Sequence, residues 1–164
     1  MEGMEASTKV SRVIRAPREA IYRACLDADA LAAWRVPDGM TARVHAFDAR
    51  QGGTYRMSLT YTDPAHSPGG KTSDDTDTFQ GTFVGLVPDE KVVERIRFES
   101  RDPAFAGEMK MTTSLADAAD GTEVTVLCED IPPGIRPEDN ELGCRLALRN
   151  LARLIERRSD RSTA

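Results

Sequence analysis

The sequence predicts an α+β domain in which a curved antiparallel sheet of about six or seven strands wraps a long C-terminal helix. Three observations predict it. Between about residues 40 and 131 apolar and polar residues alternate and turn-forming residues recur at short intervals, which is the signature of an antiparallel meander. Residues 138–158 contain no proline and carry Cys144, Ala147, Leu148, Leu151, Leu154 and Ile155 at three- and four-residue steps, the apolar stripe of a helix lying on a sheet. Ahead of both, a β-branched segment runs into Ala16-Pro17 and two short helical patterns.

Taken in order, Thr8 to Arg15 is rich in β-branched residues and reads as a first strand, ended by Ala16-Pro17. Pro17 suits the first turn of a helix, where its missing N–H has no intrahelical acceptor to lose. That helix, from about Pro17 to Cys25, places Ala20, Ile21, Ala24 and Cys25 on one stripe. Asp27 can cap a second short helix that runs through Leu31 to Trp34 and stops before Pro37-Asp38-Gly39. Strands are then expected at Thr41–Asp48, Thr54–Tyr61, Thr76–Val87, Lys91–Glu99, Glu108–Leu115 and Thr122–Ile131, with Gly52-Gly53, Pro88-Asp89 and Asp120-Gly121 as turns. Thr62 to Asp75 is polar, rich in glycine and proline, and aperiodic; it reads as a long hairpin loop, either a lid over a pocket mouth or a plain excursion. The segment Ile131 to Pro137 is a rigid connector, and the last helix is expected over Glu138 to Arg158. One domain at 8–158 follows, with tails at 1–7 and 159–164.

A chain of 164 residues can bury one core but not two. With 40% hydrophobic and 30% charged residues it matches neither a disordered chain nor a membrane protein. No run approaches the roughly 18 apolar residues of a membrane span, and the polar start lacks the apolar core of a secretion signal, so a cytoplasmic protein is expected. Cys25, Cys128 and Cys144 are odd in number and fall in no CxxC or Cys/His spacing, which predicts free thiols in a reducing compartment. A net charge of −5 disfavours nucleic acid as a partner. Arg145, Arg149, Arg153, Arg157 and Arg158, about one helical turn apart, read as the solvated outer face of the last helix. His45 and His66 are isolated, so no metal site is expected. No phosphate loop, nucleophile elbow or redox CxxC is present in the sequence, and no cofactor is expected.

The order of elements resembles the helix-grip (START-like, Bet v-like) fold of the SRPBCC superfamily, and within it the family named after the activator of the heat-shock-protein-90 ATPase, in its small bacterial single-domain form. The resemblance rests on Ile14-Arg15-Ala16-Pro17 with Ile21-Tyr22, Leu31-Ala32-Ala33-Trp34 before Pro37-Asp38-Gly39, and Asp48 to Gly53. Gly81, Pro88, Gly121-Thr122, Ile131-Pro132, and Gly143 with Leu148 and Leu151 complete it. One departure is visible: members often carry Trp after the glycine that corresponds to Gly143, and this chain has Cys144. A thiol in place of a large ring should leave extra space, or space filled from elsewhere.

Strand alternation sorts the side chains by face. Tyr55, Met57, Leu59 and Tyr61 share one face; Phe79, Gly81 and Phe83 follow; then Val92, Ile96 and Phe98; then Met109, Met111, Thr113 and Leu115; and finally Val124, Val126 and Cys128. With Trp34 and the helix residues Cys144, Leu148 and Leu151, these can line an apolar pocket or pack as an ordinary core. The resemblance favours the pocket. Glu94 interrupts the apolar face between Val92 and Ile96. Inside, its charge needs an arginine or a hydroxyl partner and makes it the sole acid/base candidate; at the strand's open end, or turned outward by a bulge, it is ordinary. Tyr55 and Tyr61 can donate to a ligand oxygen or sit at a core rim. Cys128 and Cys144 face each other across the same space and are read as packing residues.

Three functions stay open. The first is binding of a small lipophilic or amphipathic molecule, with Trp34 and the Thr62–Asp75 loop near the pocket mouth. The second is a cyclase- or hydratase-like reaction at Glu94. The third, suggested by the resemblance, is a chaperone contact; since the eukaryotic co-chaperones carry an additional N-terminal domain and nothing before Thr8 could be one, this is not expected. Monomer and homodimer are equally compatible with the sequence.

Overall fold

The computed structural model describes residues 6–63, 72, 73 and 75–162, with side chains up to residue 157. Strand β1 (Ala6–Ile14) leads to helices α1 (Arg18–Cys25) and α2 (Ala28–Trp34), then to β2 (Met40–Phe47), β3 (Thr54–Tyr61), β4 (Thr76–Val87) and β5 (Lys91–Phe98). A short 3-10 turn at Pro103–Phe105 precedes β6 (Met109–Ala118), β7 (Gly121–Ile131) and the long helix α3 (Pro137–Ser162). The seven strands form one sheet in the order β1-β7-β6-β5-β4-β3-β2, every neighbouring pair antiparallel. The expected helix-grip architecture is what is observed.

The first two strands of the sequence thus sit at opposite edges, and α1 with α2 carries the chain between them. Each strand from β2 to β7 pairs with its neighbours along the chain, but the β1-to-β2 connection spans the whole sheet. Helix α3 then lies in the concavity against β1, β7 and α2. Most boundaries fall within a residue or two of expectation, because period-two alternation and glycine turns are local signals. The exceptions are β6, which ends at Ala118 and not at the expected Leu115, and the last helix. That helix runs to Ser162, past the Arg158 end expected from sequence, so four of the six residues assigned to a C-terminal tail are helical.

Asp27 caps α2 as expected: its Oδ1 accepts from the backbone N–H groups of Asp29 at 2.9 Å and Ala30 at 3.2 Å. Replacing it with alanine leaves two N–H groups without that acceptor. A loss of about 1 kcal/mol in denaturant-derived stability is expected for Asp27→Ala.

On the outer face of the sheet, Arg56 grips Glu99 through Nε at 2.7 Å and Nη2 at 3.0 Å, and Gln80 adds a third donor at 3.0 Å. Those hydrogen bonds hold the Glu99 carboxyl down at about 2, below its ordinary value of 4.5. The sign follows from linkage. Stability from this cluster is fully present above pH about 4.5 and is lost as pH falls toward 2, so Glu99→Gln should flatten the acid limb of a stability-versus-pH curve in that window.

The core divides along α3. Leu148, Leu151, Ala152 and Ile155 are buried in a packed region with Val10, Ile14, Ile21, Leu31 and Val124. Toward the helix N-terminus, Cys144 and Ala147 are only partly buried, and the space beneath them is hollow.

The arginine face of α3 differs from expectation at Arg149. Its Nη2 donates to Asp38 at 2.5 Å, its Nε is buried without a partner among the described residues, and the neighbouring Asn150 donates to the Val36 carbonyl at 2.8 Å. These contacts clamp the loop after α2 onto α3. Arg145 is exposed and paired with Glu141 one turn away at 2.7 Å, as a solvated helix face should be.

Candidate functional site

Where the loop after α2, the middle strands and the first half of α3 meet, they line a cavity of about 160 Å³ that opens to solvent. Leu59, Phe79, Ile96, Phe98, Met109, Met111, Thr113, Val126 and Cys128 supply the sheet wall. Trp34, Arg35, Val36 and Pro37 supply one end, and Asn140, Gly143, Cys144 and Ala147 the roof. A Cβ placed on Gly143 would meet nothing within 4 Å, so α3 carries no bulk at that point. With only a thiol beside it at Cys144, the roof is recessed where the family resemblance places a tryptophan ring.

Of the expected lining residues, Trp34, Leu59, Phe79, Ile96, Phe98, Met109, Met111, Cys128 and Cys144 reach the cavity. Tyr55, Met57, Phe83, Glu94 and Leu148 are buried but do not line it. Strand alternation identifies the inward face correctly; it does not say which inward residues pack behind the wall. Trp34 belongs to the wall and not to the mouth, being 4% exposed with its indole N–H donating to the Ala24 carbonyl at 3.0 Å. The partly exposed Val36 and Pro37 lie closer to solvent. Of the expected lid, residues 64–71 and 74, and with them His66, lie outside the described residues. His45 sits on the outer side of β2 against the Ser58 hydroxyl at 2.7 Å. Among the described residues no group of three or more His, Cys, Asp or Glu side chains could hold a metal ion.

Glu94 is inside the protein, 3% exposed. The bulge falls not on its own strand but on the partner, between Phe83 and Gly85 of β4, and exposes Val84 instead. Glu94 Oε1 accepts from Arg35 Nη1 at 2.8 Å and from the Tyr55 hydroxyl at 2.5 Å, while Arg35 Nη2 donates to that same hydroxyl at 3.2 Å. A buried carboxylate on an apolar strand face requires such a partner. The signal for Arg35 was therefore present in the sequence as the unmet need of Glu94, but only the fold shows that the residue after Trp34 meets it.

The electrostatics follow from the burial. Burial pushes the Tyr55 hydroxyl well above its ordinary value, keeping it protonated and able to donate to Glu94. Burial works against the Arg35 charge, but Glu94 outweighs it, and Arg35 stays cationic. Its guanidinium lies 5.6 Å from the Tyr55 ring centroid and 5.9 Å from that of Phe79, within cation–π range. Two of its five N–H groups are engaged by the triad, and its side chain also lines the cavity.

Gly81 makes the triad sterically feasible. It stands directly across from Tyr55 in the β3–β4 ladder, and a Cβ there would lie 2.1 Å from the Tyr55 ring. The ring lies over the bare glycine and carries its hydroxyl toward Glu94.

A family model described as activator of Hsp90 ATPase homolog 1-like protein matches residues 15–156. The chain belongs to this family. A protein of Chromobacterium violaceum with a solved structure is 35% identical over 92% of this chain and 96% of that one, with a TM-score of 0.80. An AHSA1-like protein from Aeromonas hydrophila, at 17% identity over 94% of each chain, has a TM-score of 0.71. A protein of Mycobacterium smegmatis with a solved structure, at 15% identity over 91% of this chain and 90% of its own, has a TM-score of 0.69. At such identities these last two show the shared fold alone. Among curated proteins no sequence matches significantly. Within the family's fold, the hollow half of the core is the feature from which a function can be argued.

Proposed function

We propose that the protein binds a small amphipathic molecule, with an apolar body about the size of one aromatic ring, in the cavity beneath the first half of α3. The observation that carries this reading is the wall itself. It is aliphatic, aromatic and sulfur-bearing, and Arg35 is its one charged side chain among the described residues. Apolar walls with a few placed polar groups are the usual make-up of a ligand pocket.

The volume limits the occupant. An apolar cavity of about 150 Å³ holds a benzene-sized molecule, whereas drug-sized ligands occupy roughly 300–1,000 Å³. At about 160 Å³ the site suits a monocyclic compound and is too small for a long acyl chain. Arg35 can donate to a carboxylate or carbonyl oxygen at one end, and Met109 and Met111 form an adaptable wall. An acid/base role for Glu94 has less support, because its Oε1 already accepts two hydrogen bonds and the residue does not line the cavity.

Thermal unfolding in the presence of benzoate, toluene and a long-chain fatty acid tests the proposal. Benzoate should raise the midpoint most, with a stabilisation of about 1.4 kcal/mol when its concentration is ten times Kd, and the fatty acid should have no effect. Absence of a shift with every monocyclic probe, together with a crystal structure showing the cavity filled by side chains, would overturn it.

A further inference from the structure

We propose that Cys144 and Cys128 form a hydroperoxide-reactive dithiol site in the cavity wall, oxidised to an intramolecular disulfide that ties α3 to β7. This does not depend on the ligand-binding reading. The two Sγ atoms are 3.9 Å apart, although the residues come from different elements. Cys144 is partly exposed and lies in the roof of the cavity; Cys128 is fully buried in the sheet opposite. One accessible thiol beside one shielded thiol is the arrangement of an attacking and a resolving cysteine.

The surroundings support that division of roles. The contact with Cys128 sulfur holds the Cys144 thiol below its ordinary value; burial opposes this, while the Arg35 charge adds to it. The same contact, and then burial, push Cys128 upward, and its full burial leaves Cys144 as the thiol within reach of an oxidant in the cavity. The Cys144 thiol donates to Asn140 Oδ1 at 3.9 Å, which orients it from one turn back on α3. The third cysteine is different. Cys25 is buried among apolar side chains, which pushes its thiol up to about 12, and it does not line the cavity.

The chemistry balances with hydrogen peroxide as the oxidant. The Cys144 thiolate attacks one peroxide oxygen: an S–O bond forms, the O–O bond breaks, and hydroxide leaves, giving a sulfenic acid. Cys128 sulfur then attacks Cys144 sulfur. The S–S bond forms, the S–O bond breaks, and the departing hydroxide takes the Cys128 proton as water. The pair has lost two electrons and the peroxide has been reduced to two waters. Forming the bond brings the sulfurs from 3.9 Å to the about 2.05 Å of a disulfide.

The test is titration of the reduced full chain with hydrogen peroxide, followed by alkylation, intact mass measurement and peptide mapping. The expected product has lost two hydrogens, retains one alkylatable thiol at Cys25 after unfolding, carries a Cys128–Cys144 cross-linked peptide, and returns to the starting mass with dithiothreitol. In Cys128→Ser, Cys144 should accumulate as a sulfenic acid trapped by dimedone; in Cys144→Ser, Cys128 should stay unmodified at the same peroxide dose. Circular dichroism of both variants checks folding, and the wild-type peptide map stands independently of them. Oxidation of wild-type Cys144 straight to sulfinic acid without a cross-link, or no reaction at doses that oxidise a free thiol, would overturn the proposal.

Discussion

Replacing Arg35 with methionine should destabilise the protein by about 3–5 kcal/mol, measured as a lower urea midpoint at unchanged slope. The magnitude comes from what is left behind. Glu94 is 3% exposed and would lose the guanidinium 2.8 Å from its Oε1, keeping only the Tyr55 hydroxyl. A buried charge without its counter-ion costs far more than an intact pair contributes. The distinguishing measurement is the double variant Arg35→Met/Glu94→Leu, which removes both charges and should recover most of the loss. If the single variant lies within about 1 kcal/mol of wild type, or the double variant is as unstable as the sum of the two singles, the triad is not the unit described here. The double variant should also lose its preference for benzoate over toluene, since Arg35 is the only cation on the cavity wall among the described residues.

The second large effect is expected at Gly81. A methyl group there would sit 2.1 Å from the ring of a tyrosine that is 1% exposed and hydrogen-bonded at its tip. Phe47, Phe79 and Phe83 crowd the ring at centroid distances of 6.1, 6.3 and 5.3 Å, so it has nowhere to retreat. Gly81→Ala should therefore cost about 3 kcal/mol, near the upper end for overpacking, because clash and loss of the Tyr55–Glu94 hydrogen bond act together. Combining it with Tyr55→Leu removes the clashing ring and should make the alanine nearly neutral by comparison. An equal penalty from Gly81→Ala in both backgrounds would mean that the strand backbone, and not the ring, demands glycine.

These two residues show how far the sequence could be read. Gly81 was placed on the inward face by alternation alone, and Glu94 stood out as a carboxylate on that face. Both are local facts, since a strand's side chains change sides at every residue and a proline or a glycine pair ends an element wherever it occurs. The strand order from β2 to β7 follows the chain, each strand pairing antiparallel with the next, and the stripe on α3 requires a sheet to cover it, whereas the pairing of β1 with β7 joins the two ends of the fold.

What the sequence by itself determined is therefore the set of elements, their faces and the apolar character of the space between them. The tertiary structure decided the rest. It brought Arg35, from the end of a short helix, to Glu94 and Tyr55, residues 59 and 20 positions away, and set Cys144 opposite Cys128. It also separated the inward residues that pack solidly around Leu148 and Leu151 from those that leave a hollow under Gly143 and Cys144. The physical reason is that periodicity records the direction of a side chain, whereas a cavity or an ion pair depends on the distance between elements. That distance is set only when the curvature of the sheet and the tilt of the helix are settled together by packing.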